Sequence, residues 1–180
     1  MKKYILTSVV FSLIIFSCTQ QKQEETTTAS AQPNKEIYLE QVKKYEDQLR
    51  SATLLNDTLG QAAIKAYADY ASLFDDSLSP EFLFRAAEVS VGIKAYEKAL
   101  IYYENLLKKY PNYKHQEEAL YLQGFLYDNF LNQDDKAKKV YENVISKYPE
   151  HKLAEDSKAA IKNLGKTDEE LIKEFEAKNK

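Results

Sequence analysis

A short phrase of residues occurs twice in the chain and constrains its fold more than any other feature. Residues 103–105 read Tyr-Glu-Asn and residues 109–111 read Lys-Tyr-Pro, and both triplets return 38 residues later. An alanine stands four residues before each copy, at Ala99 and at Ala137. Self-similarity at a period of roughly 20–50 residues is typical of stacked helical hairpins, whose neighbours bury a shared core. Such arrays usually present binding surfaces.

The beginning of the chain has the pattern of an export signal. Lys2 and Lys3 precede an apolar run over residues 5–16, which at about 1.5 Å per residue is too short to cross a hydrocarbon core about 30 Å thick. A basic start and a short apolar run predict a signal peptide over residues 1–17. Residues 15–18, Ile-Phe-Ser-Cys, resemble the lipobox of bacterial lipoproteins, and this resemblance implies that Cys18 carries the lipid. The alternative is an ordinary cleaved signal with a coincidental cysteine.

The next segment, residues 18–35, predicts a flexible tether after the lipidated cysteine. Gln, Glu, Thr, Ser and Ala dominate it, so it has too little apolar surface to offset the entropy of ordering. Chain of this length and composition spans about 20–25 Å root-mean-square. Residues 22–25, Lys-Gln-Glu-Glu, resemble the surface-export signal of Bacteroidota lipoproteins. A solvated spacer is the alternative.

Residues 36–180 carry the periodicity of helices. Apolar side chains recur every three or four residues from the first predicted helix onward, as in Tyr38, Val42 and Tyr45. Pro111 and Pro149 predict helix ends, because proline cannot continue a helix. The alternation typical of strands does not occur, so the predicted domain is all-α.

Local signals predict individual helix ends, and residues 56–58, Asn-Asp-Thr, predict a turn with a capping site. Ser79, which precedes a proline, predicts a hydroxyl N-cap. Gly165 predicts a C-terminal cap, and residues 167–170 match the Thr-x-x-Glu capping box. Leu171 and Phe175 are four apart on the last short helix, which predicts an apolar edge that packs back onto the array.

The repeated residues resemble the tetratricopeptide repeat family, whose motif has two antiparallel helices with small residues where they meet, then an aromatic residue and a closing proline. The matching positions are Ala87, Ala99, Tyr103 and Pro111 in one copy, and Gly124, Ala137, Tyr141 and Pro149 in the other. Gly124 fits only if the turn between its two helices is one residue longer. Ala63 and Tyr67 repeat the small–aromatic pair in an earlier, degenerate unit. The resemblance covers residues 57–160 and implies a right-handed α-solenoid of about three hairpins plus a C-terminal capping helix.

The resemblance also implies where a partner would bind. Tyrosines at the aromatic position, such as Tyr67, are expected to face the hairpin interior. In the family, a concave groove is lined by one face of each first helix. The corresponding residues here are Glu81, Phe84, Glu88, Val91 and Gly92 in one repeat, and Glu118, Tyr121, Phe125, Asp128 and Asn129 in the next. Aromatic and acidic side chains together would suit an extended peptide, such as a basic one. Contacts between repeats or solvated positions are the alternative.

Catalysis, metal binding and nucleic-acid binding find little support in the sequence. His115 and His151 have no cysteine or second histidine at ligand spacing, so we predict no metal site. Paired carboxylates such as Asp134 and Asp135 stand at predicted helix ends, where they complement the helix dipole. The four glycines of the chain could hardly build a phosphate-binding loop. The net charge of −3 is spread without a basic stripe, which disfavours nucleic acid. We predict neither enzymatic activity nor a cofactor.

These features together predict a protein–protein interaction scaffold or adaptor of the cell envelope, anchored in the outer membrane through its lipid. Its partner would be another envelope protein or peptide. One alternative is a glycan- or peptidoglycan-binding lipoprotein, because the chain has 14 tyrosines and no tryptophan. That alternative requires several tyrosines exposed in one plane, and the candidates are Tyr96, Tyr102, Tyr113 and Tyr121. A self-assembling structural component is the other alternative.

Overall fold

The structure is a computed structural model that describes residues 33–178, so the predicted signal peptide, Cys18 and most of the tether lie outside the described residues. The described part is all-α, as predicted, and contains no strand. Its eight helices are α1 (Lys35–Ser51), α2 (Asp57–Leu73), α3 (Ser79–Gly92), α4 (Tyr96–Lys109), α5 (Gln116–Asn129), α6 (Asp134–Lys147), α7 (Lys152–Asn163) and α8 (Asp168–Lys178).

The helices pack in sequence as three hairpins followed by a covering helix. The hairpins are α1–α2, α3–α4 and α5–α6, and α2 packs on α3 as α4 packs on α5. Helix α7 then covers α6 and also touches α5. This order confirms the predicted hairpins and the helix that caps them.

Small residues set the distance between the two helices of each repeat. Ala87 and Ala99 are fully buried beside Tyr103 in the α3–α4 hairpin. In the α5–α6 hairpin, a Cβ atom added to Gly124 would lie 2.8 Å from the ring of Tyr141, closer than real Cβ atoms approach a neighbour. The turn after α5 has four residues and the turn after α3 has three, which is the extra residue that the placement of Gly124 required.

Most predicted helix ends are confirmed. Asn56 caps α2 by accepting a hydrogen bond from the amide of Leu59 at 3.0 Å. Gly165 has a φ of +72° just beyond α7, in the left-handed region that glycine adopts without strain. Thr167 and Glu170 exchange the two hydrogen bonds of a capping box at 2.9 and 3.3 Å.

The predicted cap of α3 is wrong. Ser79 is the first residue of the helix and is fully buried, and its hydroxyl donates to the carbonyl of Phe74. Asp76 takes the capping role, because its Oδ1 accepts from the amides of Leu78 at 2.9 Å and Ser79 at 3.2 Å. The carboxylate lies outside the helix and can face the amides, whereas the serine hydroxyl is turned into the core.

The prediction for the last helix is also wrong for one of its two residues. Leu171 is half-buried, but Phe175 is 70% exposed and Ile172 is 57% exposed. Lys166, just before α8, pairs with Glu174 at 2.5 Å. Polar and charged residues surround the short apolar edge of α8, so burial of that edge would cost the hydration of its neighbours.

Candidate functional site

The predicted groove residues occupy one face of each first helix. Glu81, Phe84, Glu88 and Val91 follow a 3-4-3 spacing on α3, which places their Cα–Cβ bonds on one side of the helix. Residues 118, 121, 125 and 128 have the same spacing on α5. Phe84 of α3 lies 5.8 Å from the ring of His115, and His115 Nδ1 lies 3.2 Å from the Glu118 carboxylate of α5, so these two faces adjoin. We call this surface, from α3 to α5, the first-helix face.

An ion-pair network occupies the end of this face where α3 begins. Glu81 accepts a hydrogen bond from the Tyr113 hydroxyl at 2.8 Å and pairs with Arg85 at 3.2 Å and Lys114 at 3.5 Å. Desolvation opposes ionisation, but the Tyr113 hydrogen bond and the two cations hold the pKa of Glu81 below its usual value. Arg85 also reaches Glu46 of α1 at 3.7 Å. The network therefore links α1, α3 and the turn before α5.

Glu88 lies next along α3 and differs from the other carboxylates of this face. Its side chain is exposed, and it makes no hydrogen bond or ion pair with any residue of the described part of the chain. Partial desolvation raises the pKa of Glu88, and the negative charges of Glu118 and Glu81 add to this while Arg85 and His115 oppose it. The local field thus favours a further cation at Glu88.

An aromatic cluster occupies the opposite end of the face. Phe130, just after α5, stacks on Tyr96 with ring centroids 4.4 Å apart and lies 5.8 Å from Phe125. Phe130 is 40% exposed, whereas Tyr96 and Phe125 are half-buried. We call these three residues the aromatic cluster. The groove pattern included only Phe125, although an aromatic residue at a turn, as at Phe130, is a signal that could have been followed.

Phe84 is not part of the surface, contrary to the groove prediction. It is only 6% exposed, and its ring lies 5.6 Å from Tyr103, 6.1 Å from Tyr113 and 5.8 Å from His115. The turn before α5 covers the side chain with these last two rings. Phe84 therefore packs the joint between two hairpins and offers a partner little contact area.

The remaining predicted residues stand on α5. Tyr121 is half-buried, with its ring 5.7 Å from that of Tyr141. Asp128 accepts a hydrogen bond from the Tyr141 hydroxyl at 3.3 Å, and desolvation raises its pKa. Asn129 is exposed and donates to the carbonyl of Phe125 in its own helix at 3.1 Å. Tyr121 and Asp128 thus belong to the face with half-buried side chains, while Asn129 stands at its end.

The structure also shows a pocket that the groove pattern did not indicate. It has a volume of about 800 Å³ and lies between the α2–α3 turn and the α4–α5 turn. Leu78, Pro80 and Pro111 supply apolar surface, and Glu81 and Lys114 join it to the ion-pair network. It therefore extends the charged end of the first-helix face towards the turns.

The tyrosines proposed for glycan binding are partly buried in different surroundings. Tyr96 stacks on Phe130, and Tyr113 is hydrogen-bonded to Glu81. Tyr102 packs against the hydrophobic clusters of both the first and second hairpins, and Tyr121 lies beside Tyr141. None of the four is an isolated exposed ring.

Metal-binding and membrane-spanning features were sought in the described residues alone. Residues 33–178 bring together no group of three or more His, Cys, Asp or Glu side chains able to hold a metal ion. Over the same range, no helix has both the length and the apolar character needed to cross a bilayer.

Comparison with known proteins agrees with this architecture. The family model for the tetratricopeptide repeat matches residues 81–113 and 118–151. They correspond to the α3–α4 and α5–α6 hairpins with the turns that follow. The match supports the tetratricopeptide repeat family for this chain. No curated protein matches the sequence significantly.

Two solved structures are similar to this chain. The second tetratricopeptide repeat domain of the human RPAP3 protein, solved by NMR in complex with an HSP70 peptide, has a TM-score of 0.52 and 16% identity over 74% of this chain and 100% of that chain. The crystal structure of MamA has a TM-score of 0.46 and 24% identity, and the match covers 67% of this chain and 61% of that chain. The similarity to the RPAP3 domain shows that this chain has the fold of an α-solenoid.

Proposed function

We propose that this protein is a lipid-anchored interaction scaffold of a bacterial cell envelope, held at the outer membrane through Cys18. Its repeats would dock an extended segment of another envelope protein on the first-helix face. The two tetratricopeptide repeats support a protein-binding role, since such arrays present surfaces and leave chemistry to their partners. The sequence around Cys18 supports the anchor, and the polar tether supports freedom to reorient near the membrane.

The single observation that carries the docking proposal is the uneven use of the first-helix face. The ion pairs of Glu81 with Arg85 and Lys114 order one end, while Glu88 has no direct partner and Phe130 leaves part of its ring exposed. A surface that contains an unpaired carboxylate, an exposed aromatic ring and preformed ion pairs has the composition of a recognition site. The RPAP3 domain in complex with a peptide is a precedent for peptide docking on this fold.

Site-specific photocrosslinking in membranes tests the docking proposal. We would place the photoreactive residue at Tyr121 on the first-helix face, and at Ile101, which is 56% exposed on second helix α4, as the matched control. We expect a discrete crosslinked protein from Tyr121 and none from Ile101. Equal capture at both positions, or capture of lipid alone, would refute docking on this face.

The anchor is tested separately. Cys18→Ser should release the protein from the membrane fraction and abolish incorporation of radiolabelled fatty acid. The photocrosslinking experiment with the soluble variant then shows whether docking requires the membrane. A Cys18→Ser protein that remains in the outer-membrane fraction would contradict the lipid anchor and leave the docking proposal intact.

A further inference from the structure

The charges of the first-helix face identify the chemistry of the segment that docks there. We propose that this segment carries a lysine or arginine that pairs with Glu88 and an aromatic or large aliphatic residue that packs on the aromatic cluster. This inference rests on the proposed function, because it uses the same face. It adds the residue of this chain that selects the partner and the chemistry of the two side chains that it recognises.

The first requirement follows from an excess of carboxylates. Four of the eight positions that define the face are carboxylates, and none is a lysine or arginine. The carboxylates are Glu81, Glu88, Glu118 and Asp128, and the ion-pair network adds the cations Arg85 and Lys114. Arg85 and Lys114 are already engaged by Glu81 and Glu46. An acidic segment would meet uncompensated negative charge, whereas a basic one would be attracted and oriented.

Glu88 is the position where a partner's cation completes the network. Glu118 Oε2 lies 3.2 Å from His115 Nδ1, and the Glu81 carboxylate has three donors within reach. Glu88 has no donor from the described part of the chain. Its carboxylate is exposed, so a lysine or arginine can reach it without rearrangement of the helix. A hydrogen bond between an ionised donor and an ionised acceptor is stronger than one between neutral groups.

The second requirement follows from the exposed aromatic ring. Phe125 occupies on α5 the position that Glu88 occupies on α3, 37 residues earlier. A segment that runs across these two first helices would therefore present a basic residue to α3 and an apolar residue to α5. The ring of Phe130, 40% exposed, supplies contact area for the apolar residue.

Peptide display on the purified full chain tests this inference. We expect selection of peptides that contain a lysine or arginine together with an aromatic or large aliphatic residue. Selection of acidic peptides, or of peptides without any charge preference, would overturn the inference alone. Failure to select any peptide would overturn the proposed docking function together with it.

Variants at one position then identify the selecting residue. Glu88→Gln should weaken binding of a selected basic peptide about 3- to 10-fold, and binding of its lysine-to-glutamine version should not change. Glu97→Gln, on the exposed side of α4, is the matched control and should bind both peptides as the unaltered protein does. Glu88→Arg should prefer the glutamate version of the peptide. Equal affinities of the Glu88 variants for all versions would refute the role of this residue.

Discussion

Asp76 joins three helices through one carboxylate, and its replacement is the sharpest test of how the first hairpin packs on the second. Oδ2 accepts from the Tyr70 hydroxyl of α2 at 2.7 Å and pairs with Lys35 of α1 at 2.5 Å. Oδ1 accepts from the amides of Leu78 and Ser79, where α3 begins. Although partial burial opposes ionisation, the hydrogen bonds from Lys35, Tyr70 and the amide of Leu78 hold the pKa of Asp76 well below its usual value.

The cost of Asp76→Ala can be worked out from these contacts. Loss of a helix cap costs about 1 kcal/mol. The Tyr70 side chain is fully buried, and a buried hydroxyl left without its partner costs about 1–3 kcal/mol. Lys35 is exposed and adds nothing to the sum. We expect Asp76→Ala to lower the free energy of unfolding by about 2–4 kcal/mol, and Asp76→Asn, which retains an oxygen for the amides, by about 1 kcal/mol.

Urea denaturation followed by circular dichroism measures these differences, with the exposed Glu142→Ala of α6 as control. Because the folded pKa of Asp76 is depressed, its stabilisation is fully present above the unfolded value of about 3.9 and is lost as pH falls towards the folded value. The difference in free energy of unfolding between Asp76→Ala and the unaltered protein should therefore be constant near neutral pH and decrease below about pH 4. An alanine variant within about 0.5 kcal/mol of the unaltered protein, or an asparagine variant as unstable as alanine, would refute the reasoning.

Three further predictions concern the core. Gly124→Val should lower the free energy of unfolding by about 1–3 kcal/mol, because its side chain would overlap the Tyr141 ring, and calorimetry measures the loss. Leu106→Ala should cost about 2–5 kcal/mol in urea denaturation, since Leu106 is fully buried, whereas Leu73→Ala, at a 44% exposed position, should cost much less. Burial raises the pKa values of Tyr103 and Tyr141, so the neutral phenols favour the folded state and stability falls as pH rises above about 10. In an absorbance titration, these two tyrosines should ionise only at the pH at which circular dichroism shows that the protein unfolds.

The packing positions could be predicted because they depend on spacing and size alone. An alanine and a tyrosine four residues apart lie on the same side of a helix, so Ala99 with Tyr103 and Ala137 with Tyr141 define a buried stripe before any tertiary contact is known. Proline then limits each helix through its own covalent geometry. These are local properties, and the structure buries all four of these side chains.

The groove could be predicted only in part, because the exposure of a helical side chain depends on the conformation of the neighbouring turns. Helical spacing places Phe84 on the same face as Glu88, but the turn before α5 folds Tyr113 and His115 over it. No periodicity in α3 contains that information. The prediction of the α3 cap was wrong for a related reason. Asp76 and Ser79 both have oxygens that could accept from the helix amides, and only the direction of the chain decides between them.

Comparison of the two repeats separates stability from recognition. They agree where the helices meet, with alanine or glycine against tyrosine, and they differ on the first-helix face, where Glu88 in one repeat corresponds to Phe125 in the other. Glu88 is exposed and has no direct partner, so Glu88→Gln should change the free energy of unfolding by no more than about 0.5 kcal/mol. Phe125 is half-buried against Phe130, so its replacement would lower the free energy of unfolding more. A binding defect in Glu88→Gln can therefore be assigned to lost recognition, provided that its unfolding curve matches that of the unaltered protein.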